Sequence, residues 1–450
     1  MGSITLGQAA AWCGGYVDPK YTETAFFGAN NDSRKILPGQ LFIALQGERD
    51  GHDFIPKAME NGAAAVLCSR SVGDYPAIIV EDTRLALGKI AAGYRQKLGV
   101  KVVGVTGSVG KSTTKEMISC VLASCYRVAK TPMNHNNDIG MPMAILSIEE
   151  DTQIAVLEMG MNHFREIAYL TNIARPDAAV IINIGTMHIE HLGSQSGILR
   201  AKMEITEGMD QNSMLFLNGD DPYLWNAQDI PVPVTYFGSG NEKCAVRGVD
   251  VCNCGGRLTF QVRSAQHCFP VSLELEGEHY LLDAMAAISV GLSMGIAPEK
   301  ICSALATFQN MEGRQEIFRH GSYTIIKDCY NAGPESMAAA LSVLGNREGR
   351  RIAVLGDMLE LGGRAPAEHY RIGRIAAEKA DMVFAYGPNA PRIIAGARTG
   401  GMGEKQTYSF ESRDMLAQAL KEAAKDGDVL LFKGSHGMHM ELALEAFLKD

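Results

Sequence analysis

The sequence predicts an α/β fold of three domains: a small N-terminal α/β domain over residues 1–97, a central domain with a parallel sheet over 98–313, and a Rossmann-like α/β domain over 314–450. Three observations predict it. A chain of 450 residues is longer than one hydrophobic core serves well. Short apolar runs rich in Val, Ile and Leu alternate with helical periodicities, the rhythm of right-handed βαβ crossovers. That rhythm stops near residue 210 and restarts near Arg314, and only its first half carries a Gly-rich turn between strand and helix.

Composition narrows the function classes. The apolar share is 46% and the charged share 21%, ordinary for a globular chain, and the net charge of −9 speaks against nucleic acid or an anionic membrane as partner. The opening Met1-Gly2-Ser3-Ile4-Thr5-Leu6 lacks the basic segment and apolar core of a signal peptide, and no apolar run is long enough to span a bilayer. A cytoplasmic protein without membrane insertion is expected. Ten cysteines are scattered, only Cys252 and Cys254 lie close together, and the set reads as reduced thiols.

In the first domain, Asn31-Asp32-Ser33-Arg34 precedes a Pro38-Gly39 turn and a strand over 41–45. Gly47 belongs to the next loop, a short helix follows over 54–62, and 63–67 and 77–80 read as strands. Ser33 and Arg34 suit an anionic ligand, since guanidinium forks onto phosphate, and a loop salt bridge suits them equally.

The central domain begins with the strand 101–105 and the turn Thr106-Gly107-Ser108-Val109-Gly110-Lys111-Ser112-Thr113. The usual phosphate-binding loop places Gly where this chain has Val105, so this is a variant. Its free N–H groups and the helix N-terminus would surround phosphate, Lys111 would reach the β/γ-phosphates, and Ser112 or Thr113 would hold Mg²⁺. Strands over 154–159 and 178–183 follow, with a helix near 165–172. Ligands of such sheets sit at the strands' carboxyl ends. Glu158 and His188 fall there, and the amide-rich loop 131–140, with Asn136 and Asn137, should lie nearby; together they suit Mg²⁺–ATP. Residues 211–269 read as short strands and turns, and 281–294 as a helix. The third domain has strands over 323–327, 352–355, 382–385 and 429–432, whose ends carry Asp328, Tyr330, Asn331, Asp357, Lys433 and Ser435.

Taken together, these motifs resemble the Mur ligases, ATP-dependent amino-acid ligases of peptidoglycan synthesis. Residues 104–112 are similar to that family's ATP loop, 131–142 to its Asn-rich loop, and 157–160 and 183–193 to its metal-binding stretches. Asp328-Cys329-Tyr330-Asn331-Ala332, the run 355–362 and Lys433-Gly434-Ser435 resemble its C-terminal signatures, and 32–42 the start of its nucleotide-sugar domain. The chain departs from the family at Tyr280 and Asp283, where a His-Asn-x-x-Asn run near adenine is usual, and at Gly333 and His436.

The resemblance implies a ligase joining D-alanyl-D-alanine to UDP-N-acetylmuramoyl-tripeptide through an acyl phosphate, acting as a monomer. It implies that Ser33, Arg34 and Gly47 hold the UDP-linked acceptor, that Tyr330 and Asn331 join the loop around ATP, and that Asp357, Lys433 and Ser435 bind substrate. Asp357 reads equally as a helix cap. Ser112, Glu158 and His188 would ligate Mg²⁺, with Lys202 as a CO₂-derived carbamate; an ordinary lysine paired with a phosphate or with Glu204 is the other reading of Lys202. Another ligase of the superfamily, such as an earlier Mur ligase or a folylpolyglutamate synthase, or a non-ligating nucleotide-binding paralogue, would share many of these motifs. Lys111 reads as solvent-facing before ligand binds, so Lys111→Ala is expected to abolish ligation and leave the melting temperature unchanged. Wild-type turnover in that variant would refute the ATP-site reading.

Overall fold

The computed structural model describes residues 3–254 and 256–449, so Met1 and Gly2 of the N-terminal reading lie outside it. Four sheets organise the described residues. A two-stranded antiparallel ribbon pairs Ile4–Thr5 with Ala25–Phe26. A four-stranded parallel sheet runs Ala29–Asn30, Leu41–Ile43, Ala65–Cys68, Ala77–Ile79.

The largest sheet has nine strands. At its heart Lys101–Thr106 lies between Ile154–Glu158 and Ala178–Ile181, parallel to both. Val102 faces one apolar cluster and Val103 and Val105 another, so this strand is buried on both faces, as a central parallel strand requires. Its helix, Lys111–Ala123, packs with Tyr280–Ser293 over one face. Residues 211–269 form strands joined by turns, as expected, with one four-residue helix, Pro222–Trp225. Met214–Asn218 and Val234–Gly238 extend the parallel sheet, and Val246–Cys254, Arg257–Ser264 and Cys268–Leu273 add an antiparallel flank of strands 9, 8 and 6 residues long. The physical reason is two-residue alternation: Leu258, Phe260 and Val262 turn to the core while their neighbours face outward.

The third sheet has six strands in the order Glu316–His320, Tyr323–Asp328, Val429–Lys433, Arg351–Gly356, Met382–Tyr386, Thr407–Phe410, and only the first is antiparallel. Among the described residues, no helix is long and apolar enough to cross a membrane. Among the described residues eight cysteines are free, but Cys252 is disulfide-bonded, which corrects the expectation of reduced thiols throughout. Cys252 is exposed on a hairpin strand.

Helices Ala365–Lys379 and Ala390–Thr399 cross at two glycines. A Cβ on Gly373 would lie 1.9 Å from the Ile393 carbonyl oxygen, and one on Gly396 2.0 Å from that of Tyr370. Gly373→Ala must therefore separate two backbones, and should lower stability by roughly 3 kcal/mol in urea unfolding. An unchanged midpoint would show that the crossing is looser than described.

Candidate active site

Because three parallel strands end side by side, Gly107, Glu158 and Asn183 meet at one edge. The turn closes at Gly110, whose φ of 87° suits glycine, and a Cβ there would lie 2.7 Å from Asp283 Oδ1. Asn183 ties the turn down. Its Oδ1 accepts from the N–H groups of Ser108 (3.0 Å) and Val109 (2.9 Å), and its Nδ2 donates to the Val109 carbonyl (2.9 Å). Two N–H groups expected to meet phosphate thus already hold a neutral acceptor.

Lys111 is not solvent-facing. Its Nζ donates to the Gly107 (2.9 Å) and Ser108 (3.3 Å) carbonyls, which would otherwise be unpaired, and burial lowers its pKa. Thr106 is fully buried and donates to the Met159 carbonyl at 2.8 Å; it fastens neighbouring strands and does not line the cavity. Ser112 and Thr113 do line it.

Glu158 is buried. Its Oε1 accepts from Asn136 Nδ2 at 2.8 Å, while Oε2 has no hydrogen-bond partner among the described residues. Asn137 lines the cavity and also accepts from the N–H of Gly140 at 2.8 Å, at the start of helix Gly140–Leu146. His188, with a left-handed φ of 61°, places Nδ1 2.8 Å from Glu360 Oε2 of the third sheet's loops.

Lys202 is 2% exposed, and its side chain has no hydrogen-bond or ion-pair partner among the described residues. Burial, then the charge of Lys111, drives its pKa well down. Among the described residues no ion pair joins it to Glu204, whose carboxylate accepts from the N–H groups of Arg165 (2.8 Å) and Ala168 (3.1 Å).

The opposite wall comes from the third sheet. Lys433 Nζ, buried, donates to Asp328 Oδ2 (2.6 Å) and the Asn331 carbonyl (2.9 Å), and Tyr330 and Asn331 line the same cavity of about 830 Å³. Arg314, read in the sequence only as a boundary, lies 4.1 Å over the Tyr330 ring and donates to Ser112 Oγ at 3.4 Å. It thereby links the two sheets. His279, Tyr280 and Asp283 line the cavity as well. Burial lowers His279 to about 4 and raises Asp283 to about 7, with Thr114 Oγ1 donating to Asp283 at 2.5 Å. The only sequence signal for Asp283 was its departure from a familiar pattern.

Besides Thr106, Gly107 and Lys202, five anticipated residues do not line this cavity. Ser33 uses its carbonyl to accept from Asn61 Nδ2 at 2.8 Å. Arg34, its side chain 83% exposed, forks onto Asp32 at 2.9 and 2.8 Å and holds that carboxyl down at about 2. Gly47 turns back to the Arg49 carbonyl at 3.3 Å. Ser435 is buried, accepting from Leu359 N–H (2.9 Å) and donating to the Ala332 carbonyl (3.1 Å). Asp357 is 1% exposed and accepts from the N–H (3.1 Å) and Nδ2 (2.8 Å) of Asn389, just ahead of helix Ala390–Thr399. Asp357 does not cap the helix that follows it, Ala365–Lys379, which has no side-chain cap; its carboxylate instead anchors Asn389 at the start of the later helix. Asp357→Ala should therefore cost about 2 kcal/mol of stability in urea unfolding. Unchanged stability with a selective loss of substrate affinity would restore the binding role.

Comparison with known proteins agrees with this layout. Family models match in sequence order: "Mur ligase family, catalytic domain" over residues 28–95, "Mur ligase middle domain" over 105–291 and "Mur ligase, glutamate ligase domain" over 313–436. UDP-N-acetylmuramoyl-tripeptide–D-alanyl-D-alanine ligase of Bacillus subtilis (strain 168) is 42% identical, covering 95% of this chain and 94% of its own. The protein of the same name from Escherichia coli (strain K12) is 35% identical over 100% and 99%. A crystal structure of MurF from Acinetobacter baumannii superposes with a TM-score of 0.92 at 30% identity, covering all of both chains. MurF ligase from Thermotoga maritima in complex with ADP gives 0.82 at 32% identity, covering 94% and 97%. A folylpolyglutamate synthase from Mycobacterium tuberculosis, at 14% identity and a TM-score of 0.64, shares the fold alone. On this agreement of loop, sheet order and matched length, the chain belongs to the Mur ligase family.

Proposed function

We propose that this chain is the ATP-dependent ligase that joins D-alanyl-D-alanine to UDP-N-acetylmuramoyl-tripeptide, a cytoplasmic step of peptidoglycan synthesis, and that it works as a monomer. Residues 1–97 bind the UDP-linked acceptor through Ser33, Arg34 and Gly47, 98–313 bind ATP, and 314–450 bind the dipeptide. The observation that carries this reading is the single cavity shared by the phosphate loop and the ends of the third sheet's strands, Lys433 among them. One chain supplies both walls.

The acceptor carboxylate attacks the γ-phosphorus, giving an acyl phosphate and ADP. The dipeptide amine then attacks the acyl carbon, and phosphate leaves. Most of what this needs is charge neutralisation and positioning. Lys111 turns from the loop carbonyls to the phosphates, and Asn183 yields the Ser108 and Val109 N–H groups. Arg314 is placed to meet negative charge beside Ser112. The third sheet's wall keeps water from the acyl phosphate.

The unpartnered Glu158 Oε2 fits a hard cation, so Ser112, Glu158 and His188 are the residues that would hold Mg²⁺. Bound there, Mg²⁺ would neutralise phosphate charge. A buried, unpaired, low-pKa Lys202 fits an amine that reacts with CO₂, whose carbamate would serve a second ion.

The direct test supplies ATP, the UDP-linked tripeptide and the dipeptide, and follows ADP and product together. The proposal expects one ADP per amide bond and no product without the dipeptide; steady ADP release without ligation would overturn it. For Lys202, the carbamate predicts that Lys202→Arg loses roughly 10–100-fold in kcat and that short carboxylates partly rescue Lys202→Ala. A fully active Lys202→Arg enzyme would refute the carbamate.

A further inference from the structure

Asp283 is an acid without a counter-ion beside the phosphate loop. It stands in the first turn of helix Tyr280–Ser293 and lines the shared cavity, yet is only 4% exposed. Its Oδ1 accepts from Thr114 Oγ1 at 2.5 Å. That is the one hydrogen bond of its side chain among the described residues, and no ion pair reaches it there. The loop presses against it: a Cβ on Gly110 would lie 2.7 Å from Oδ1 and 3.6 Å from Oδ2. Gly110 belongs to the turn whose N–H groups are proposed above to meet phosphate.

The groups that face Asp283 do not supply a full counter-charge. Helix Lys111–Ala123 offers Thr114, a neutral donor, while Lys111 turns to the Gly107 and Ser108 carbonyls. The loop ahead of the third sheet offers the field of Arg314, whose guanidinium lies over the Tyr330 ring and donates to Ser112. On its own helix Tyr280 is neutral and accepts from Asn310 Nδ2. His279, just ahead of that helix, is held neutral by burial, its pKa lowered to about 4.

An ionised Asp283 and a phosphate in the loop would repel each other where little water screens them. A cation between them, or a proton on the acid, would relieve this. A hard cation gathers several oxygens, but Thr114 already holds Oδ1 and no second carboxylate acts on Asp283. A proton needs only Oδ2.

We propose that Asp283 works in the nucleotide site as the neutral acid: as a nucleotide fills the loop, Oδ2 takes a proton from water, and nucleotide and proton bind together. One O–H bond forms, and nothing is oxidised or reduced. This rests on the proposed ATP site and adds to it a residue and a proton. In the unliganded protein burial raises the acid to about 7, so both forms are present near neutral pH. The nucleotide favours the protonated form, so affinity is full below that value and falls as pH rises through it.

The test compares the full-length protein with Asp283→Asn, which keeps the side chain's shape and an acceptor for Thr114. Titration calorimetry with Mg²⁺ and ADP, in buffers of different ionisation enthalpy, counts the protons taken up. Protons moved by Lys111 or by the nucleotide cancel in the difference between the two proteins. Wild type should take up about 0.1 proton more than Asp283→Asn at pH 6 and about 0.9 more at pH 8. Its Kd, relative to the variant's, should weaken roughly tenfold over that range. Infrared difference spectra at pH 8 should show carboxylate absorption giving way to that of a protonated carboxyl when ADP binds, and Asp283→Asn should lack the change. Equal proton balance in the two proteins at pH 8, or a carboxylate that stays ionised, would overturn this proposal and leave the ATP site standing. A wild-type protein that binds no nucleotide would overturn both.

Discussion

The burial of strand Lys101–Thr106 on both faces is the constraint on which the rest depends. A strand enclosed by two apolar clusters, and by parallel neighbours on both edges, can present polar groups only at its ends. The carboxyl end therefore collects what the sheet cannot bury: the phosphate loop, Glu158 and Asn183. The third sheet repeats the arrangement with Asp328 and Lys433, and the two edges share one cavity.

Charge is the currency of that cavity. Lys202 is buried and Lys111 half-buried, and each has a pKa lowered first by loss of water. Glu158 keeps one oxygen unpaired, and Asp283 is raised to about 7. Leaving charged groups this poorly partnered is expensive unless a ligand of complementary charge arrives. A magnesium nucleotide supplies both signs at once. Asn183 and the loop carbonyls then act as stand-ins, satisfying the N–H groups and Lys111 until phosphate displaces them.

Much of this was legible in the sequence where local chemistry decides. The strand–turn–helix at Gly107–Lys111 is set by β-branched residues and glycines within one window, and Glu158 and His188 follow from where strands end. The antiparallel flank of the large sheet was legible as strands but not as part of that sheet, because Val246–Ser264 carries the alternation of one sheet face, which does not reveal which sheet it joins. Arg314 was missed because an arginine in a loop is ordinary; only folding sets its guanidinium over Tyr330 and beside Ser112. Asp357 sits at a strand end, as a binding residue would, and its carboxylate accepts from Asn389, a partner that spacing does not reveal. Spacing along the chain gives the edge a residue belongs to, not the partners that saturate it.

The central claim is that the loop after Lys101–Thr106 and the end of Ile154–Glu158 form one magnesium–nucleotide site facing the third sheet. A crystal structure of this chain with Mg²⁺ and ADP tests it most directly. The account predicts the β-phosphate on the N–H groups of residues 107–112, Asn183 displaced from Ser108 and Val109, and the metal between Ser112 and Glu158. Nucleotide bound elsewhere, or a Glu158 left without a metal beside a filled loop, would contradict it.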